Sequence, residues 1–156
     1  MRMIIYGAGG VGCVIGGHLV QTGHDVVLIG RPGHVNRINE KGLRFVTPGG
    51  VHELKIPAVT HPDQIEFTQD DVIFLCMKGQ DTEKALQELS VLSDKVPVFC
   101  VQNGVRNEEI ASEYFQKVYG VMISVGAVYL NDGEVMSRRE PPGWLIMGKY
   151  SNGDDD

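Results

Sequence analysis

Gly7-Ala8-Gly9-Gly10-Val11-Gly12 is a G-x-G-x-x-G run, and Arg31 closes the next apolar stretch after it. Such a loop can hold a diphosphate when it leaves a strand and opens a helix. In that setting Gly7 permits the tight turn, Gly9 lets the backbone touch the phosphates, and Gly12 lets helix and strand pack closely. The helix then offers unpaired N–H groups and a partial positive charge to the anion. With 20 glycines in 156 residues the pattern can arise by accident, so its surroundings decide. Where such loops bind NAD, an Asp or Glu at the end of the second strand holds the ribose 2′-hydroxyl. Here that strand closes Leu28-Ile29-Gly30-Arg31, with no acid at its end. A guanidinium there suits bidentate pairing with a 2′-phosphate. The cofactor expected from these residues is therefore NADP(H).

The elements needed to position this loop are legible. Residues 3–6 read as a short buried strand. Residues 10–21 carry apolar side chains at Val11, Val14, Ile15, Leu19 and Val20, a helical spacing that stops at Thr22-Gly23. Residues 25–29 form a second apolar strand, and the resulting βαβ unit makes the two strands parallel. Further on, residues 35–41 predict a short helix ended by Gly42, and 43–46 with 51–56 a hairpin. Residues 72–77 are a continuous apolar strand of the kind covered on both faces. A helical stripe at Ala85, Leu86, Leu89 and Leu92 follows, then a strand over 96–101 and a helix over 108–115. From Tyr119 onward short strands are expected at 121–125, 128–130, 134–137 and 144–147, with Asn131-Asp132-Gly133 as a hairpin signal. The fold class is α/β: a Rossmann-type, doubly wound, mainly parallel sheet with an antiparallel β extension at its C-terminal end. Residues 1–150 are expected to form one dinucleotide-binding domain, and 151–156 a disordered tail.

Composition narrows the function. Lys and Arg total 14 against 20 Asp and Glu, a net charge of −6, and no basic stripe is present, which argues against a nucleic-acid partner. Cys13, Cys76 and Cys100 share no metal-ligand spacing, so free thiols in a reducing cytoplasm and no metal site are expected. The longest purely apolar run, residues 72–77, is too short to span a bilayer, and the glycine spacing sets the N-terminus apart from a signal peptide. A soluble protein is the expectation. His18, His24, His34, His52 and His61 show no pattern suited to catalysis and are read as structural or exposed.

Two later motifs carry a resemblance: Leu75-Cys76-Met77-Lys78-Gly79-Gln80 and Cys100-Val101-Gln102-Asn103-Gly104-Val105. With Gly7–Gly12 and Thr22-Gly23-His24-Asp25-Val26 they appear in an order that resembles the N-terminal domain of the ketopantoate reductase (2-dehydropantoate 2-reductase) family, over residues 1–150. The resemblance implies an NADPH-dependent reduction of a 2-keto acid, most closely ketopantoate in pantothenate biosynthesis. It implies that Lys78 contacts the cofactor, that Asn103 reaches cofactor and substrate, and that Gly126 lies against the cofactor. Lys78 and Asn103 also follow the carboxyl ends of buried strands, where open α/β sheets bind ligands. Members of the family run on into a helical half that supplies the general-acid lysine, so no catalytic residue is expected in this chain. Arg139 stands where relatives often carry a histidine. The expected partners are a small 2-keto acid and a second copy held through the exposed ligand face. The competing reading is a stand-alone NADP(H)-binding or redox-sensing module without turnover.

Overall fold

The structure, a computed structural model, describes residues 1–93 and 95–151. Strand β1 (Arg2–Tyr6) buries Met3, Ile4 and Ile5, and β2 (Asp25–Ile29) buries four of its five side chains. Between them α1 (Gly10–Gln21) crosses over, and the strands pair in parallel with Ile4 opposite Val27. Helix α2 (Pro32–Lys41) begins three residues before its apolar stripe, because the fixed φ of Pro32 suits the first helical position. Gly42, at φ 83, ends it. The hairpin of β3 (Leu43–Thr47) and β4 (Gly50–Leu54) follows, then β5 (Ala58–Val59). The chain next builds β6 (Asp71–Leu75), α3 (Thr82–Ser90), β7 (Val98–Cys100) and α4 (Asn107–Ser112). It closes with β8 (Val118–Val125), β9 (Ala127–Asn131), β10 (Glu134–Ser137) and β11 (Gly143–Lys149).

The main sheet runs β11-β8-β7-β6-β1-β2-β5. All its neighbouring strands are parallel except β11, which pairs antiparallel with β8. The strand-rich end of the chain thus divides. β8 extends the parallel sheet and β11 edges it, whereas β9 and β10 cross to the β3–β4 hairpin and form a second sheet, β4-β3-β10-β9. Within that sheet β10 lies parallel to β3.

Apolar packing explains the layering. Ile5, Val14, Leu28, Phe45 and Val135 belong to one core cluster, which joins the main sheet, α1 and the second sheet. Ile4, Ile73, Leu86, Leu89 and Ala111 form the other, under α3 and α4. Helix α1 is held between two sheets, and its glycines make room for them. A Cβ on Gly16 would stand 3.2 Å from Leu28 of β2, and one on Gly17 would stand 3.1 Å from the ring of Phe45 in β3. Continuous apolar strands with helices on both faces are the mark of a doubly wound sheet. Among the described residues no helix is long and apolar enough to cross a membrane. Ser151 lies in a turn, and the rest of the tail expected at 151–156 lies outside the described residues.

Candidate functional site

Five adjacent parallel strands deliver the sequence-predicted residues to one crest. In spatial order across the sheet, Gly126 follows β8, Asn103 follows β7, Lys78 follows β6, Gly7–Gly12 follow β1, and Arg31 follows β2. Chain order reverses between β2 and β6, on either side of β1, and a crevice at such a reversal is where these sheets bind ligands.

The glycine loop is fixed by its neighbours. The Gly7 and Ala8 N–H groups both donate to the Ile29 carbonyl, at 3.0 and 2.9 Å. Gly7 has φ +106, and a Cβ there would stand 2.7 Å from the Cys76 carbonyl carbon. Ala8 is buried, with its methyl where a Gly30 side chain would have to go, so only its backbone faces outward. Gly9 differs from the others. As N-cap of α1 it has ordinary angles, φ −94 and ψ −160, and no atom lies within 4 Å of the place for a Cβ. No protein atom stands where a Gly9 side chain would go, so the bare backbone leaves room for a ligand at the helix mouth. No side chain caps α1 and its first turn holds no acid. Cys13 N–H is the first to donate back along the helix, to the Gly9 carbonyl, and the amides of Gly10, Val11 and Gly12 have no acceptor within the helix. The loop therefore fits a diphosphate.

Lys78 and Asn103 are exposed on their loops. Lys78 directly follows the Cys76–Met77 peptide that abuts Gly7, so it flanks the glycine loop. Asn103 is positioned by a buried relay that sequence reasoning missed. Gln102 Nε2 donates to Thr82 Oγ1 at 2.6 Å, Thr82 donates to Asn107 Oδ1 at 3.1 Å, and Asn107 Nδ2 donates to the Asn103 carbonyl at 3.3 Å. Gly104, at φ +110, supplies the turn. Gln102, Asn103, Glu108 and Gly120–Ile123 line an open hollow of about 310 Å³ beside β8, the lower end of the usual range for small-molecule sites. Gln102 is 6% exposed, and its Oε1 has no partner among the described residues. Gly126 packs against Arg138, whose Cβ would lie 3.3 Å from a Cβ on Gly126, and its carbonyl accepts the Arg138 N–H at 2.8 Å. Arg139 lies in the same bend.

Two of the histidines make structural contacts. His18 stacks edge-on against Phe45, and His61 caps a short turn with Gln64. Cys13, Cys76 and Cys100 are unpaired, and burial pushes the Cys13 and Cys100 thiols up to about 12.

A doubly wound, mainly parallel sheet with a glycine loop at its switch point defines a Rossmann-type domain. The chain belongs to the ketopantoate reductase PanE/ApbA family, whose model matches residues 3–152. It is 35% identical to a 2-dehydropantoate 2-reductase of Pyrococcus abyssi and 34% identical to that of Pyrococcus horikoshii, in each case over 98% of this chain and 49% of the relative. Among solved structures it resembles a PanE/ApbA family ketopantoate reductase from Ralstonia eutropha, with a TM-score of 0.86 and 31% identity over 98% of this chain and 51% of the other. A D-mandelate dehydrogenase solved with NADH and anilino(oxo)acetate gives 0.83 and 29%, over 98% of this chain and 50% of that one. The chain spans about half the length of the relatives it matches.

Proposed function

We propose that this chain is the NADP(H)-binding half of a cytoplasmic 2-keto-acid reductase, with ketopantoate as the substrate and pantoate as the product. The observation that carries the reading is Gly9: an unstrained glycine at the mouth of an uncapped helix, with open space where a side chain would stand, which leaves the backbone room to meet a close ligand. When bound, the nicotinamide supplies the hydride. The residues of the chain hold and orient it. The amides of Gly10, Val11 and Gly12 face the diphosphate, and the backbone of Ala8 and Gly9 borders it. Arg31 pairs with the 2′-phosphate, Lys78 contacts the cofactor beside the loop, and Gly126 backs its far end. Asn103, held by the Gln102–Thr82–Asn107 relay, contacts both cofactor and keto acid. We assign no residue of this chain to protonating the substrate oxygen.

Titration of the chain with NADPH, followed by its fluorescence, is expected to saturate below millimolar concentration; the absence of a saturable signal overturns the reading. Arg31→Ala is expected to lower NADPH affinity about tenfold and to leave NADH affinity nearly unchanged, since a paired phosphate contact is lost from one ligand only. An unchanged affinity ratio would remove Arg31 from its role.

Self-association belongs to the same proposal. Trp144 and Ile146 of β11, with Met122 of β8, are half or more exposed on an edge of the main sheet. Light scattering at high protein concentration is expected to show a dimer or larger. A monomer there would contradict it.

A further inference from the structure

The end of β2 has no acid in sequence, yet the fold brings one to it. β9 begins next to Gly126 and passes the mouth of α1, where a Cβ on Gly10 would stand 3.2 Å from the Tyr129 nitrogen. Its turn reaches the N-terminus of α2. There Asp132 Oδ2 lies 2.5 Å from the place a Gly33 Cβ would occupy, two residues beyond Arg31. One strand thus spans the crest from the β8 end to the β2 end.

The carboxylate is held by Tyr129, and the turn that carries it is fixed from the other side. Tyr129 O–H donates to Asp132 Oδ1 at 2.5 Å. Gly133, at φ +77, turns the chain against Arg37 and donates its N–H to His34 Nδ1 at 2.8 Å. An N–H can only donate, so Nδ1 is bare and the neutral imidazole carries its proton on Nε2, facing Cys13 Sγ at 3.3 Å. His34 is buried, which holds its pKa below the usual value against the opposing pull of Asp132 and keeps the ring neutral. The hairpin is thereby keyed to α2 through His34 and to α1 through Cys13. Asp132 itself stays exposed. Arg31 is the N-cap residue of α2 and Asp132 meets the same helix at Gly33, so the two residues share this end of the crest.

We propose that Asp132 is a specificity-determining residue of the dinucleotide site, its carboxylate accepting a hydrogen bond from a free ribose 2′-hydroxyl and opposing a 2′-phosphate. It does the work of the strand-end acid found in NAD-binding loops, from a hairpin distant in sequence. Arg31 and Asp132 then act in opposition: the first favours NADP(H), the second tempers that preference and admits NAD(H). The inference rests on the crest being the dinucleotide site.

The test compares NADPH with NADH by fluorescence, and adenosine 2′,5′-bisphosphate with 5′-AMP by calorimetry, on the unaltered chain and on Asp132→Asn. The fragments contain no nicotinamide, so the readout is the ribose end alone. The affinity ratio is expected to move about tenfold toward the phosphorylated ligand in both pairs, and the shift to shrink as salt rises. Asp132→Ser, a residue that also suits turns, gives the same shift if the amide variant folds poorly. A purely structural role would weaken both members of each pair equally, and an unchanged ratio overturns the inference. Should Arg31→Ala alter the ratio while both Asp132 variants leave it fixed, this inference fails and the dinucleotide reading stands. If the unaltered chain binds neither NADPH nor NADH, both fail.

Discussion

Replacing Gly9 with alanine is expected to weaken NADPH binding by about tenfold or more while shifting the melting temperature by no more than about 4 °C. The backbone at Gly9 lies in a region open to any residue, and the added methyl meets no protein atom. Alanine caps a helix less well than glycine, which costs about 1 kcal/mol at most. The methyl would project where the diphosphate comes closest to the backbone, so the loss falls on binding. The other two motif glycines behave in the opposite way. A Cβ on Gly7 would collide with the Met77 amide from a backbone already at φ +106, and one on Gly12 would collide with the Gly7 carbonyl and stand 2.9 Å from Ile5 Cγ2. Each of those alanine variants should cost about 2–4 kcal/mol in folding stability. Thermal melts and NADPH titrations on the three variants check the pattern. A Gly9→Ala chain that binds as tightly as the unaltered one would remove the main support for a diphosphate at this loop.

That contrast also shows what was legible in the sequence. G-x-G-x-x-G marks all three glycines alike, because the motif records a residue type and not the reason for it. Local period and breakers were enough for β1, α1, β2, β6 and α3, whose apolar residues repeat within a few positions. They were also enough to place Arg31, Lys78 and Asn103 after strand ends, which is why these residues meet on one crest. The second sheet could not be read this way. β10 pairs with β3 across most of the chain, and only packing around Phe45, Gly17 and Val135 selects that partner. Asn131-Asp132-Gly133 was recognisable as a hairpin turn, but where its tip would land depends on that pairing. So the residues local to the strand ends were visible, and Asp132 and the Gln102–Thr82–Asn107 relay were not.

The opposite end of the sheet carries the second large expected effect, on stability alone. Asp71, at the start of β6, is 1% exposed and accepts from Arg2 Nε at 2.9 Å, Arg2 Nη2 at 2.8 Å and the Thr68 N–H at 2.7 Å. Arg2 Nη2 also donates to the Glu66 carbonyl at 2.8 Å, so the pair ties β1, β6 and the preceding loop together. Burial acts to raise the Asp71 pKa, but the bonds from Arg2 and Thr68 outweigh it and hold the carboxyl below its ordinary value. Asp71→Ala leaves a partly buried guanidinium without its partner and is expected to cost about 3 kcal/mol, or roughly 6–12 °C in melting temperature. A depressed folded-state pKa contributes stability that is complete above the unfolded value near 4 and is lost as pH falls through the lower folded value. The gap between the unaltered chain and the variant should therefore be full at pH 6–7 and narrow below about pH 4. Arg2→Met combined with Asp71→Leu should recover much of the loss, because a buried pair replaced whole costs far less than one broken. NADPH affinity should be unchanged in any of these variants that remains folded, since the staple lies at the amino ends of strands whose carboxyl ends form the crest. A gap that stays constant from pH 3 to pH 7 would show that packing, and not the buried charge pair, holds this end of the sheet together.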